Sequence, residues 1–400
     1  MPLDVAAVRS HFPALAEGVA HFDGPGGSQT PDVVGDAVRA TLLSGIANRG
    51  TVTAAERTAE AAVTGARAAM ADLLDADAGG IVFGRSMTDL TFDFARTLAK
   101  GWALEDEVVV SRLDHDANVR PWVIAAEAVG AVVRWIDFDP ETAELSPEHV
   151  AAQLSDRTRL VALTGASNLL GTRPDLAAIS PLVHDAGALL YVDGVHLTAH
   201  AAIDVAALGA DFFACSPYKF FGPHCGVVAG RVDVLEQLRP DKLLPSTDAV
   251  PERFELGTLP YELMAGTTAA VDFIAGISSA QDGARRSRIV ASMALLEEHE
   301  DALRERIEAR LGDLGEVTLH SRARRRTPTL LLTFADHDPA DAYRFLADQG
   351  VNAPAGSFYA YEPARRLGLG DTGGLRVGLA PYTDESDVDR LLDGLAKFLS

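Results

Sequence analysis

Short apolar runs alternate with helical patterns through the middle of the chain. Ile81–Phe83, Glu107–Ser111, Val132–Ile136, Leu160–Thr164, Leu189–Val192, Phe212–Cys215 and Gly226–Ala229 read as strands. Most are apolar throughout, as expected for strands covered on both faces. Helical segments separate most of them, so the pattern predicts an α/β fold with a mostly parallel, seven-stranded sheet. Thr53 and Glu56 have capping-box spacing and open a long helix that runs to about Asp75. Ser146-Pro147 reads as an N-cap followed by the first helical position.

Beyond Pro260 the pattern changes. A helical region over Thr267–Leu311 precedes a strand (Thr329–Phe334), a helix (Pro339–Gln349), a strand near Leu375–Leu379 and a closing helix from Glu385. This predicts a smaller C-terminal α+β domain, with the opening segment packed on it. The expected division is 21–265 for the large domain, and 1–20 with 266–400 for the small one. The proline-rich stretch Pro240–Pro260 reads as a long connection, a kind of segment that is often functional.

Composition narrows the partners. The 400 residues are 48% hydrophobic, enough for a large core, and carry a net charge of −22 spread along the chain. That balance argues against nucleic-acid binding and against anionic membranes. The short basic run Arg322, Arg324, Arg325, Arg326 reads as a solvated turn before a strand. Cys215 and Cys225 are too few for a disulfide framework or a CxxC zinc site, which fits a reducing, cytoplasmic setting. The N-terminal residues lack a signal pattern, and no run approaches the ~18 apolar residues of a membrane span.

Two segments carry the chemistry: YVDGVH at Tyr191–His196 and SPYKFFGPHCG at Ser216–Gly226. The first sets Asp193 at the C-terminal end of an apolar strand, and the second sets Lys219 just after another. Ligands of open α/β sheets bind outside the carboxyl ends of strands, so both side chains can face one site. A lysine amine and a buried carboxylate suit pyridoxal phosphate (PLP). The amine forms a Schiff base with the cofactor aldehyde, and the carboxylate keeps the pyridine nitrogen protonated. Asp193 beside a pyridinium is expected to stay ionised. An isolated Asp or Lys is more often a solvated surface charge; a lysine between an apolar strand and an aromatic, Gly-rich turn is not.

Strand–VDxxH followed by S-x-x-K-x-x-G-P resembles the class V aminotransferase family, which includes cysteine desulfurases, selenocysteine lyase, isopenicillin-N epimerase and kynureninase. The opening FDGPGGSQTP (Phe22–Pro31) resembles its cysteine desulfurase-like subgroup, and matching segments recur from about residue 20 to the C-terminus. The resemblance implies the PLP-dependent transferase fold of type I. It also implies site residues. GRSMTDLTF (Gly84–Phe92) matches the loop that holds the PLP phosphate, giving Ser86, Met87 and Thr88; a strand-to-helix turn suits an anion. An ordinary N-cap role for Ser86 or Thr88 is compatible with this. LDHDANVRPW (Leu113–Trp122) gives His115 for stacking on the ring. SNLLGT (Ser167–Thr172) gives Asn168 near the cofactor O3′, His196 falls where the family touches that oxygen or the imine, and Ser216 falls where it has a phosphate-binding hydroxyl. RFELGT (Arg253–Thr258) gives Thr258 as a contact to the neighbouring subunit's phosphate, hence a homodimer with shared active sites. LRVGLAPYTD (Leu375–Asp384) gives Arg376 for the substrate carboxylate, hence an α-amino acid substrate.

The chain departs from the family at one point. Where the relevant desulfurases have a segment like GHHCA, it reads GSFYA (Gly356–Ala360), so Tyr359 stands in place of the persulfide-forming cysteine. Cys215 reads as a buried strand residue and Cys225 sits on a rigid turn. The expected chemistry is transimination and α-proton removal by Lys219, leading to C–S or other β-elimination, with Tyr359 a candidate proton donor. An aminotransferase or epimerase is the alternative within the family. A non-catalytic PLP-binding scaffold is the alternative of another class, and the intact Lys219, Asp193, His115 and Arg376 argue against it.

Overall fold

The computed structural model describes residues 2–278 and 283–400. Its main sheet has seven strands. Across the sheet they run Ile81–Gly84, Gly226–Gly230, Phe212–Cys215, Leu189–Asp193, Thr158–Thr164, Glu107–Ser111 and Val132–Ile136. Only Gly226–Gly230 is antiparallel to its neighbours; the other pairings are parallel. The central strands are buried over nearly their whole length, Arg159 and Leu189 near two strand starts being half-buried, which is why their inner parts read as apolar runs. Val132–Ile136 lies at the edge, and there Val132 and Arg134 are exposed.

The parallel strands present their C-terminal ends, and the loops that follow them, on one side of the sheet. The Ala54–Leu74 helix is opened by the expected capping box of Thr53 and Glu56. Pro147–Ala151 begins with Ser146 as N-cap and Pro147 as first helical residue.

A second sheet of four antiparallel strands runs Ala355–Gly356, Gly374–Gly378, Thr329–Phe334, Val317–Leu319. Leu303 and Ile307 of the Arg285–Leu311 helix, Leu346 of Pro339–Ala347 and Leu391 of Glu385–Phe398 pack with Leu330, Leu332 and Val377 of this sheet.

Two expectations need correction. The helical region expected over Thr267–Leu311 is two helices, Tyr261–Ile277 and Arg285–Leu311. The first helix ends at Ser278, which takes an extended conformation and donates its N–H to Ser292 Oγ at 2.9 Å; residues 279–282 of that region lie outside the described residues. The opening segment also does more than pack on the smaller sheet's side. Ala20–His21 pairs with Val351–Asn352, and Arg9 bridges to Asp384 and Asp387 at the last helix. Phe12, however, packs against Phe221, two residues past Lys219, with ring centroids 5.4 Å apart.

One buried ion pair ties this frame to the site. Arg67 grips both oxygens of Glu255 at 2.9 Å, and Glu255 Oε1 also accepts the N–H of Phe83 in the strand that leads to Ser86. Removing one partner of a buried pair leaves an uncompensated charge. Arg67→Met is therefore expected to cost about 3–5 kcal/mol of stability, read from urea denaturation.

Candidate active site

The loops at the strand C-termini enclose a cavity of about 690 Å³. Asp193 ends its strand at the cavity wall, 6% exposed, and accepts the N–H of Val195 at 2.9 Å. The following residue must be glycine: a Cβ on Gly194 would lie 1.9 Å from the Phe213 ring. Lys219 sits on a short 3-10 turn, Pro217–Lys219, directly after its strand. Its Nζ donates to the carbonyl of Pro25 and lies 4.9 Å from the centroid of the Tyr218 ring.

The electrostatics set this lysine apart. Burial, reinforced by the positive charge of Arg376 and opposed by Asp193, pulls the amine down to about 7. Burial pushes Asp193 up to about 6, opposed by the Val195 N–H and Lys219. Burial, with Lys219 and Arg376, lowers His115 to about 4, so its ring is neutral at pH 7. Its Nδ1 accepts the N–H of Ala117 at 3.0 Å, which places the proton on Nε2.

The strand Ile81–Gly84 leads into the Met87–Ala99 helix, with Ser86 as N-cap accepting the Asp89 N–H. Ser86, Met87 and Thr88 face the same cavity, as does Ser216. The Ser86–Met87 peptide lies against Gly226, where a Cβ would come within 2.1 Å of Ser86 C. Asn168 and Arg376 complete the opposite wall. Arg376 is 1% exposed and donates from Nη1 to the Asn168 carbonyl at 3.1 Å. Asn168 Oδ1 and Arg376 Nε are buried and without a partner among the described residues. Unpaired buried polar atoms of this kind call for an explanation, and a ligand supplies one.

Most of the sequence-expected residues thus share one cavity: Lys219, Asp193, His115, His196, Ser86, Met87, Thr88, Asn168, Ser216, Arg376 and Tyr359. Two further placements bear on the expected roles. Thr258 is exposed and lies in a separate depression with Arg85 and Leu256, outside its own chain's cavity. The Nε2 of His196 is engaged by the hydroxyls of Thr327 and Thr329, each at 2.9 Å, so that nitrogen is turned toward the smaller sheet. Burial, with the charges around it, holds His196 well below its ordinary range.

Phe358, a candidate from GSFYA to line the substrate pocket, does line the cavity. Pro25 and Gly26 of the FDGPGG turn, with Asp116 and Arg120, line it without having had an expected role. The glycine-rich turn was itself a signal of close backbone approach. Beneath His115 lies a buried network: Trp122 Nε1 donates to Asn118 Oδ1, and Asn118 Nδ2 and Ser111 Oγ both donate to Asp114. Burial pushes Asp114 up to about 8. A charged residue at an apolar strand exit was the available clue.

The family model "Aminotransferase class-V" matches residues 20–391. The "Uncharacterized protein MT3887" of Mycobacterium tuberculosis is 35% identical, covering 99% of both chains. Cysteine desulfurase CsdA of Escherichia coli is 31% identical over 98% of this chain and 97% of its own. The crystal structure of that desulfurase superposes with a TM-score of 0.86 and 28% identity, covering 98% of each chain. The chain belongs to the class V aminotransferase family, a family of PLP-dependent enzymes.

The lowered Lys219 has a thermodynamic consequence. Its amine binds a proton more weakly in the folded than in the unfolded chain, so between pH 7 and 10.5 the unfolded state holds more protons and stability rises with pH. Lys219→Met is expected to stabilise the cofactor-free protein by on the order of 5 kcal/mol below pH 7, and by progressively less up to pH 10.5. Denaturant titrations of both proteins across that range measure the difference.

Proposed function

We propose that this chain is a PLP-dependent enzyme acting on an α-amino acid, and that it is a cysteine desulfurase-like lyase cleaving a C–S or other β-bond without a persulfide cysteine. One observation carries the reading: a desolvated lysine amine, a buried carboxylate and a buried arginine line one cavity beside a strand-to-helix loop. The residues present fit the cofactor. Ser86, Met87, Thr88 and Ser216 would hold its phosphate, Asp193 its ring nitrogen, and His115 its ring face. Asn168 and His196 would lie toward its phenolic side. When bound, PLP supplies the electron sink that makes an α-proton removable.

The chain's own groups then divide the work. Arg376 presents a planar fork suited to the substrate's α-carboxylate. Lys219, lowered to about 7, moves between free base and acid near neutrality and carries the α-proton. Asp193, pushed up to about 6 by burial against the opposing Val195 N–H and Lys219, is drawn back to its anion by a cation at the ring nitrogen. His115, neutral, packs without adding charge. Tyr359 is 77% exposed at the cavity mouth, its ring 5.5 Å from His115, and serves as proton donor on the substrate side. Cys215 and Cys225 are both buried, and burial raises both thiols, Cys225 to about 11. Neither lines the cavity, which supports elimination over sulfur capture on the chain. The free buried thiols suit a cytoplasmic protein.

Thr258 supports a homodimer. It is exposed beside Leu256, itself 60% exposed, and a contact to a partner's cofactor phosphate accounts for its place outside its own cavity.

The decisive experiment adds PLP, reduces with borohydride and maps the modified peptide. Modification at Lys219, absent in Lys219→Ala, is expected; no modification at Lys219 overturns the reading. Ammonia and a 2-oxo acid released without an added oxo-acid acceptor identify elimination, whereas acceptor-dependent turnover identifies a transaminase. Asp193→Ala is expected to lower turnover about 10²–10⁴-fold, and Tyr359→Phe to lower it about tenfold or more, in steady-state assays.

A further inference from the structure

Two consecutive non-glycine residues at the cavity mouth adopt left-handed backbone: Phe358 at φ 54° and Tyr359 at φ 58°. Bulky residues rarely do so, and one following another is a strained arrangement that its surroundings must impose. The surroundings are identifiable. Asn168 Nδ2 donates to the Phe358 carbonyl at 3.0 Å, and the Asp116 N–H donates to the Tyr359 carbonyl at 2.8 Å. Both carbonyls of the arch are therefore gripped from loops of the main sheet.

The arch delivers the Phe358 ring onto Arg376, with the ring centroid 3.6 Å from Arg376 Cζ. Arg376 in turn donates to the carbonyl of Asn168. Asn168, Phe358 and Arg376 thus close a circuit of three contacts. Arg376 makes no ion pair with a carboxylate among the described residues, although it is almost fully buried. Its Nε stays unpartnered.

We propose that Phe358 is a positioning residue that holds the Arg376 guanidinium flat under its ring, leaving only the in-plane N–H edge open to the substrate's α-carboxylate. An aromatic face attracts the cation without using its donors, so the fork keeps them for a planar anion. An aliphatic side chain covers the same face without that attraction, and the guanidinium is then free to tilt. The proposal rests on Arg376 being the carboxylate receptor, and it adds what keeps that receptor in shape.

The test compares wild type with Phe358→Leu and Phe358→Tyr, with Phe358→Met as a second non-aromatic variant if the leucine protein fails to fold. One readout needs no cofactor: the Arg376 Nε–H signal in a ¹H–¹⁵N spectrum, assigned through Arg376→Lys. A ring-current displacement is expected in wild type and Phe358→Tyr, and its loss in the non-aromatic variants. The second readout is kinetic. With loaded enzyme, KM for the amino acid is expected to rise about tenfold or more in the non-aromatic variants, with kcat within about threefold, and to recover in Phe358→Tyr. An Arg376 signal indifferent to residue 358, or an unchanged KM, overturns the proposal. If wild type takes up no cofactor, the functional reading falls, while the Nε–H comparison still decides the role of Phe358.

Discussion

Two cations, Lys219 and Arg376, share one largely desolvated cavity, and much of the site's construction follows from keeping them there. Burial disfavours the charge of both, and Arg376 lowers Lys219 further. Asp193 is the carboxylate that works in the opposite direction, and the Pro25 carbonyl accepts from the amine. Lys219 and Asp193 are brought to within about a unit of each other by their surroundings. Burial, with the same two cations, keeps His115 neutral. Arg376 meanwhile is covered by the Phe358 ring, and the charge of Asp23 favours its cation without a direct ion pair among the described residues.

The layout also explains why these groups come from distant parts of the chain. Parallel strands bring the loops of Asp193, Lys219 and His115 to one side of the main sheet. Arg376 comes from the middle of a strand in the smaller sheet, and Pro25 from a turn near the N-terminus. The cavity is a junction between the sheets, so the contacts of Phe12 with Phe221 and of Arg9 with Asp384 and Asp387 bear on the site as well as on the fold.

What the sequence makes legible follows from which signals are local. Buried strands announce themselves as apolar runs, so all seven are readable, including where Asp193 and Lys219 stand relative to their ends. Val132–Ile136 is readable although its edge position leaves it half exposed. The break before Arg285 was masked by helical patterns on both sides, despite the serines and glycine between them. Contacts between far-apart residues leave no local trace. Nothing in GSFYA announces that Phe358 will lie on Arg376, and nothing in FDGPGG that the Pro25 carbonyl will meet Lys219. The engagement of His196 by Thr327 and Thr329 is likewise a property of how the two sheets meet.

The single antiparallel strand, Gly226–Gly230, enters the main sheet on the side where the active loops emerge, and its first residue touches the Ser86–Met87 peptide. The chain from Lys219 to Gly226 is short. The lysine and the loop proposed to hold a phosphate are therefore joined by a brief span of backbone as well as through the sheet. The spacing between the lysine and that loop is thus held twice, once through the sheet and once through this span of backbone.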